Sequence, residues 1–462
     1  MIRLLNAYFP ARTLFLGISE ACLVTLAFVA ATIARLGANE ASLMLNYEQG
    51  FLKISVVAAL FIICMYYFDL YDSSVLANLR EVITRVIQVL GTVCILLAVL
   101  YYVYPPLELG RGIFLIGFVL VAVLLLFWRR LFVKLNSLPR FAERALILGD
   151  GELAGSLKRE LKSRSELGIR LVGELNIADD WNGKPTSAQE RIEEFLHSVA
   201  SFRPNCVIVA MADRRGKLPV EALLQLKSQG VRVRDGVDMY EAVTGKVPIE
   251  SLRLSWLLFS PGFRVAGPLL IYERVFSLAL CAVGLVLTLP LMVLVALAIR
   301  CDSAGPIIFR QKRVGQNGKL FTLYKFRTMV DGADEGGNHR PAEETDNRFT
   351  RVGRVLRRIR IDELPQLFNI LRGDMHMVGP RPFVPNQERE CLEKIPYYRQ
   401  RWVVRPGATG WAQVNRGYNA TIEDNKEKLA YDLYYIKNIS IGLDLLILLK
   451  TMKILLLGRG AR

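Results

Sequence analysis

The chain has 462 residues, 52% of them hydrophobic, and a positive mean hydropathy of +0.29, too apolar for an ordinary soluble protein of this length. Lysine and arginine outnumber aspartate and glutamate by 59 to 43, a net charge of +16 that suits anionic membrane surfaces or phosphorylated substrates; given the apolar segments, nucleic acid is not expected as a partner. The 7 cysteines lack CxxC spacing and the 3 histidines (His197, His339, His376) are scattered, which argues against a disulfide framework or a zinc site.

Four apolar stretches come first, at 13–34, 51–68, 82–103 and 112–128. Each approaches the ~20 residues needed to cross a bilayer. The first is long and lacks a small-residue cleavage site, so no cleavable signal is expected. Arg3 and Arg12 precede the first span, Arg80 lies between the second and third and Arg85 at the start of the third, and Arg129, Arg130, Lys134 and Arg140 follow the fourth. Basic flanks favour the cytoplasmic side, so the four spans of domain 1–139 return the chain to the cytoplasm.

Residues 140–250 change character and predict a Rossmann-like α/β domain. Apolar runs near 145–149, 205–210 and 231–234 predict parallel strands. Between Gly149 and Gly155 the sequence resembles the glycine fingerprint that lets a backbone approach a pyrophosphate, with Glu174 at the distance of a ribose-binding acid. A tight turn between strand and helix explains the same glycines, and no Tyr-x-x-x-Lys element accompanies them. Residues 251–266 are expected to be a linker.

A fifth apolar run, 275–299, has Arg274 before it and Arg300, Arg310, Lys312 and Arg313 after it. Basic residues on both flanks place both ends on the cytoplasmic side. Pro290 lies inside the run and removes a helix hydrogen bond. A helix that enters the membrane, breaks near Pro290 and returns meets both constraints; a simple kinked span meets only the second.

Beyond it lie two short basic-apolar elements, around 309–315 and 323–329. Residues 347–360 then hold Arg348, Arg351, Arg354, Arg357, Arg358 and Arg360 with no acid, and Val352, Val355, Leu356 and Ile359 recur at helical spacing. This predicts a basic amphipathic helix for the headgroup layer. Asp362 and Glu363 follow at once, then Pro365, as in the first turn of a new helix. Helix capping and surface ion pairing account for such an acid pair in many proteins. Here the surrounding arginines can neutralise phosphate, and a carboxylate can hold Mg²⁺ or attack phosphorus, so phosphoryl transfer is the sharper expectation. Adjacent helical residues point ~100° apart, so the two acids should do different jobs.

The motifs Lys-Phe-Arg-Thr-Met (325–329), Asp-Glu-Leu-Pro-Gln-Leu (362–367), Val-Gly-Pro-Arg-Pro (378–382) and Arg-Pro-Gly-Ala-Thr-Gly-Trp-Ala-Gln-Val-Asn (405–415) occur in that order. Together they resemble the bacterial polyprenyl-phosphate sugar-phosphate transferases, over 267–462. The four spans and the α/β segment resemble the long, exopolysaccharide-type form of that family. The resemblance implies three parts: a membrane α-helical N-terminal bundle, an α/β Rossmann-like middle domain, and a mixed α/β membrane-associated catalytic domain (267–462) with a re-entrant helix hairpin at 275–299. It implies that Asp362 attacks the phosphorus next to the sugar of a nucleotide-sugar, of UDP type, and passes the phosphosugar to undecaprenyl phosphate. It assigns Mg²⁺ to Asp362 and substrate binding to Arg381; Glu363, the second acid of the catalytic pair, is expected to position the aspartate or to contribute to the metal site, and Lys325, Arg327, Arg357 and Arg405 are further candidates for substrate binding. The expected setting is the bacterial cytoplasmic membrane, with the catalytic domain on its cytoplasmic face in contact with lipid, and a homodimer is compatible with the amphipathic surfaces. Arg416-Gly-Tyr418 departs from the Arg-Tyr-Gly order of many relatives. Ile441–Leu457, with Lys450 and Lys453 inserted, is expected to lie in the interface. The competing classes are a membrane-anchored sugar-nucleotide oxidoreductase or dehydratase, and a non-catalytic export scaffold.

Overall fold

A computed structural model describes the chain apart from residues 1, 5–6, 73–74, 77, 137–141, 165–166, 177–187, 212–213, 215–216, 253, 261, 264–266, 331, 333–347, 418–420 and 458–462. His339, Arg140 and Tyr418 therefore lie outside the described residues. The first seven residues aside, the chain forms two compact units, Tyr8–Met239 and Tyr240–Arg462.

In the first unit the apolar stretches form α1 (Ala11–Leu36), α3 (Gly50–Tyr67), α4 (Leu79–Val103) and α5 (Arg111–Asn136). Between α1 and α3, where the sequence suggests only a loop, lies α2 (Ala38–Tyr47). The four long helices are long and apolar enough to cross a membrane, and so is a fifth in the second unit, Gly267–Asp302. The inner stripe of the four is a continuous core around Val24, Phe28, Phe61, Val93, Leu97, Val121 and Leu125, all fully buried. Their opposite faces are apolar too: Leu26, Ile95, Leu115 and Phe127 are about two-thirds exposed, at 66%, 66%, 68% and 65%. A helix apolar all round but buried on one stripe has its other face suited to hydrocarbon. The chain is a membrane protein.

Within the core, Glu20 and Arg129 form an ion pair (Nε to Oε1 2.7 Å) with a hydrogen bond from Nη2 to Oε2 at 2.9 Å, and Arg129 Nη1 donates to the Leu70 carbonyl at 2.6 Å. A charge this deep is costly unless a group of opposite sign lies beside it.

The same unit carries a parallel sheet of β1 (Glu143–Leu148), β2 (Ile169–Leu175), β3 (Cys206–Val209) and β4 (Arg232–Asp235), ordered β2-β1-β3-β4. The last four residues of β1 and all of β3 are apolar and buried. Helices α6 (Glu152–Ser163), α7 (Ala188–Phe202) and α8 (Val220–Ser228) connect the strands. Gly149 turns the chain out of β1 at φ +115°, and a Cβ there would meet the Met211 backbone at 2.8 Å. The glycine is thus required by the passage of the chain past the end of β3. Glu174, the expected ribose-binding acid, is ion-paired to Lys158 of α6 at 2.5 Å.

In the second unit Gly267–Asp302 is one uninterrupted helix, α9, with Pro290 inside it. The sequence predicts a break there; the structure keeps the helix going. Proline removes a single hydrogen bond and its fixed φ is itself helical, so the turns on either side persist. Near the first end of α9, Arg274 Nη1 and Nη2 donate to the carbonyls of Ile370 and Leu371 (2.5 and 2.8 Å). Near the other, Asp302 Oδ2 accepts from Val352 N–H at 3.0 Å. Residues Val286, Leu287 and Leu289 between them are 76%, 73% and 53% exposed. Both ends of the helix are therefore fastened to the rest of the unit while its apolar middle stands clear.

After α9 come the antiparallel pair β5 (Ile308–Val314) and β6 (Leu320–Phe326) and helices α10 (Arg351–Arg358) and α11 (Gln366–Arg372). A short parallel pair, β7 (His376–Val378) and β8 (Gly407–Thr409), follows with α12 (Pro385–Lys394) between its strands. α13 (Ile422–Asn438) and α14 (Ile441–Leu457) close the unit. β7 and β8 come so close that a Cβ on Gly407 would lie 2.0 Å from Gly379 N, and one on Gly410 2.1 Å from Gly379 O.

The boundary between the units falls before Tyr240, earlier than the 250/251 division the composition suggests. Residues 241–252 are built into the second unit. Lys437 Nζ pairs with Glu241 at 2.8 Å, Trp411 Nε1 donates to Gly245 O at 2.8 Å, Lys246 pairs with Glu427, and Tyr397 OH donates to Leu252 O at 3.3 Å. Such long-range pairings leave no mark in composition.

Candidate active site

Asp362 and Glu363 sit on a 3-10 turn, Ile361–Glu363, between α10 and α11. Thr350 caps α10 by accepting from Gly353 N–H at 2.9 Å. The helix stops short of the acid pair because Arg360 adopts the left-handed conformation (φ 57°), and the chain reverses there. The pair therefore lies on a tight turn of its own and not in the first turn of α11, which begins after Pro365.

The turn faces β6. Asn369 of α11, fully buried, accepts from Tyr324 N–H at 3.0 Å and donates to Thr322 O at 2.7 Å, which pins α11 along that strand. Lys325, one residue before the end of β6, thereby reaches both acids: Nζ lies 2.9 Å from Glu363 Oε1 and 3.9 Å from Asp362 Oδ2. Arg381 Nη2 approaches the same Glu363 oxygen at 3.3 Å. Arg357 in the last turn of α10 lies over the Phe349 ring at 4.8 Å, and its charge favours the ionised form of Asp362.

The two carboxyls are tuned apart. Burial pushes Asp362 above the usual aspartate range, against the pull of Lys325 and with the neighbouring charge of Glu363 pushing the same way. Glu363 is buried as well, but Lys325, Arg381 and Arg360 outweigh that and hold it well below the usual glutamate range. Glu363 is thus a fixed anion, bonded to two cations. Asp362 is the carboxylate beside the cations but outside hydrogen-bond distance of Lys325.

Of the expected binding residues, Lys325 and Arg381 join the acids directly and Arg357 joins them through its charge. Arg327 does not. β6 ends at Phe326, so the alternation that would keep Arg327 on the face of Lys325 is lost. Its Nη2 bonds instead to the carbonyl and hydroxyl of Ser303 (2.7 and 2.8 Å). Arg405 does not either: its Nη1 lies 3.3 Å from His376 Nε2, whose Nδ1 is 3.6 Å from Glu273 Oε2. Burial and the charges of Arg405 and Arg274 lower the His376 pKa to about 4.

No sequence pattern singles out Arg401. It is buried among Asp432 (Nε to Oδ2 2.8 Å), Tyr398 (Nη1 to OH 2.6 Å) and Glu388 (3.5 Å), and its Nη2 donates to the Arg381 carbonyl at 2.7 Å. Its segment carries several charges of both signs, and which one points inward depends on contacts with α13.

Among the described residues no group of three or more His, Cys, Asp or Glu could hold a metal. Mg²⁺ does not need one, because it keeps several waters and takes one or two carboxylates together with substrate phosphate. The donor set of Asp362 and Glu363 fits that mode.

Apolar helices together with a buried carboxylate pair set against lysine and arginine define a membrane protein built to handle phosphate. A family profile described as bacterial sugar transferase matches residues 269–458, and one described as CoA-binding domain matches 66–234. The chain is 44% identical over 186 residues (40% of this chain, 69% of the relative) to a UDP-glucose:undecaprenyl-phosphate glucose-1-phosphate transferase of Caulobacter vibrioides. It is 43% identical over 227 residues (48% and 52%) to a UDP-N-acetylgalactosamine-undecaprenyl-phosphate N-acetylgalactosaminephosphotransferase of Aeromonas hydrophila. An undecaprenyl-phosphate glucose phosphotransferase of Komagataeibacter xylinus is 34% identical over 328 residues (70% and 60%). The chain belongs to the bacterial sugar transferases. It spans about half the length of the first curated relatives it matches, at 52%, 60% and 42%.

Proposed function

We propose that the chain transfers a sugar phosphate from a nucleotide diphosphate-sugar, of UDP type as in the names of several relatives, to undecaprenyl phosphate. The observation that carries the proposal is the unequal acid pair: Asp362 beside Lys325 at 3.9 Å, with Glu363 held by Lys325 and Arg381. An Asp362 oxygen attacks the phosphorus bonded to the sugar, and the bond from that phosphorus to the bridging oxygen breaks. Nucleoside monophosphate leaves and an aspartyl phosphosugar remains. An oxygen of the lipid phosphate then attacks the same phosphorus, the bond to Asp362 breaks, and the carboxylate is regenerated with lipid diphosphosugar as product. The acceptor phosphate is largely ionised near neutral pH, so no strong general base is needed. Glu363, as a fixed anion, serves to hold Lys325 and Arg381 in place. Mg²⁺ bound by Asp362 and the donor's phosphates would neutralise charge on the leaving group.

The reaction belongs at the cytoplasmic face of the bacterial inner membrane, where nucleotide-sugars are available, with α9 bent at Pro290 so that it enters and leaves on that face. Basic residues on both its flanks and the fastening of both its ends to one unit support this. The test is to incubate purified full-length protein with labelled UDP-glucose or UDP-N-acetylgalactosamine, Mg²⁺ and undecaprenyl phosphate. Label should appear in lipid, and donor alone should release UMP and leave labelled protein. UMP release that strictly requires the lipid would exclude the covalent route.

A further inference from the structure

The turn that carries Arg381 is held by its main chain along its whole length. Gly379 N–H donates to Thr409 O at 2.8 Å, and Pro380 O accepts from Gly407 N–H at 3.0 Å. The Arg381 carbonyl accepts from Arg401 Nη2 at 2.7 Å, and the Pro382 carbonyl from Arg313 Nη1 at 3.0 Å. Phe383 O accepts from Val314 N–H at 3.0 Å. Prolines 380 and 382 have no N–H to offer, so the carbonyls are the handles by which this turn is gripped.

Arg401 grips the carbonyl of the residue whose side chain matters. Its own side chain is only 4% exposed and is spent inward, on Asp432, Tyr398 and Glu388. Its guanidinium also lies over the rings of Phe383 and Tyr398, at 4.5 and 5.2 Å. A cation and two carboxylates this deep are costly unless geometry is gained in return. What the rigid fork gains is direction, since three of its donors point to three fixed acceptors at once.

We propose that Arg401 is a positioning residue for the transfer reaction: held by Asp432, Tyr398 and Glu388, it sets the Arg381 carbonyl and through it the aim of the Arg381 guanidinium at the Glu363 side of the site. The inference rests on the function proposed above and adds a residue outside the reacting groups. Arg401→Lys keeps the charge and loses the fork, because an ammonium on a flexible stem cannot serve Asp432, Tyr398 and the Arg381 carbonyl together. Its effect should run through Arg381 and so appear mainly as a ~10-fold rise in KM for the donor, with kcat changed less.

Two measurements on the full chain in nanodiscs test this. In a double-mutant cycle with UDP-glucose and UDP-N-acetylgalactosamine as donors, Arg401→Lys should raise KM in the native background and add little in an Arg381→Ala background. Full additivity overturns the proposal, because a structural defect would cost the same in both. Hydrogen exchange should show faster amides at Gly407 and Val314, whose N–H groups donate to Pro380 O and Phe383 O, in Arg401→Lys, with the rest of the unit unchanged; no local change, or loosening everywhere, also overturns it. If the native protein uses neither donor, the proposed function falls, while the exchange result still decides whether Arg401 sets the turn.

Discussion

Both units of the molecule bury carboxylates against cations, and they do so differently. In the helical bundle Glu20 and Arg129 face each other at two points, through contacts of 2.7 and 2.9 Å, and a further Arg129 donor goes to a backbone carbonyl. In the second unit Lys325 and Arg381 converge on one oxygen of Glu363, and Asp362 is left 3.9 Å from Lys325. Burial differs, the bundle pair being 2% and 0% exposed against 18% for Lys325, 21% for Glu363 and 26% for Arg381. Pairing differs as well: a cation and a carboxylate that face each other at two points hold helices together, while a carboxylate kept near cations but outside their bonds can still form a bond to something else.

The comparison breaks most visibly at Asp362. Asp362→Asn keeps the size of the side chain and removes the attacking charge, so lipid product and protein labelling should both fall by at least ~10³-fold in a protein that remains folded. Substantial lipid-diphosphosugar synthesis by that variant would end the covalent assignment. Glu20→Ala should act on the other side of the contrast. It strands Arg129 in the bundle and should cost about 3–5 kcal/mol of stability, read as a lower unfolding midpoint in detergent. The double variant Glu20→Leu/Arg129→Leu should recover most of that loss; if it is no better than the single change, the pair is doing more than joining helices.

A smaller effect is expected at His376, which is buried between Arg405 and Glu273 and meets the charge of Arg274. Its pKa is lowered from 6.5 to about 4, so the unfolded chain binds the proton more readily than the folded one between those values. Stability from this group is fully present above pH 6.5 and is lost as pH falls toward 4, by up to about 3 kcal/mol. Melting temperatures of the native protein and His376→Gln across that interval should diverge, the native curve being the steeper; parallel curves would remove His376 from the account. The smallest effect should come from Glu174→Gln. The Lys158–Glu174 pair is 41% and 29% exposed, so its loss should cost under about 1 kcal/mol and leave transfer unchanged. A large loss of transfer activity would show that the sheet contributes to the chemistry.

What the sequence could reveal depended on how local its cause was. The four spans were legible because lipid requires an apolar surface all round, and α1, α3, α4 and α5 match the expected stretches to within a few residues except at the end of α5. Helix α2 was missed because its short, mixed composition carries no such demand. In the site, Asp362, Glu363, Lys325 and Arg381 come together as expected. Arg327 turns away because a strand ends one residue early, and Arg405 turns to a histidine that the sequence placed nowhere in particular. Arg401 was out of reach because its partners are brought to it by α12 and α13. The break expected at Pro290 was a local rule applied too strictly, since a proline weakens a helix without ending it.

The close approach of Gly379 to Gly407 and Gly410 has a consequence for anyone who would rebuild this enzyme. In the sequence, Gly-Pro-Arg-Pro and Arg-Pro-Gly-Ala-Thr-Gly look like two separate signatures. In space they are two halves of one joint, shaped so closely that a single added carbon on Gly407 would fall 2.0 Å from the nitrogen of Gly379. The exchangeable part for transplanting this turn between relatives is therefore the pair, and either signature moved alone would arrive without the surface it was cut to fit.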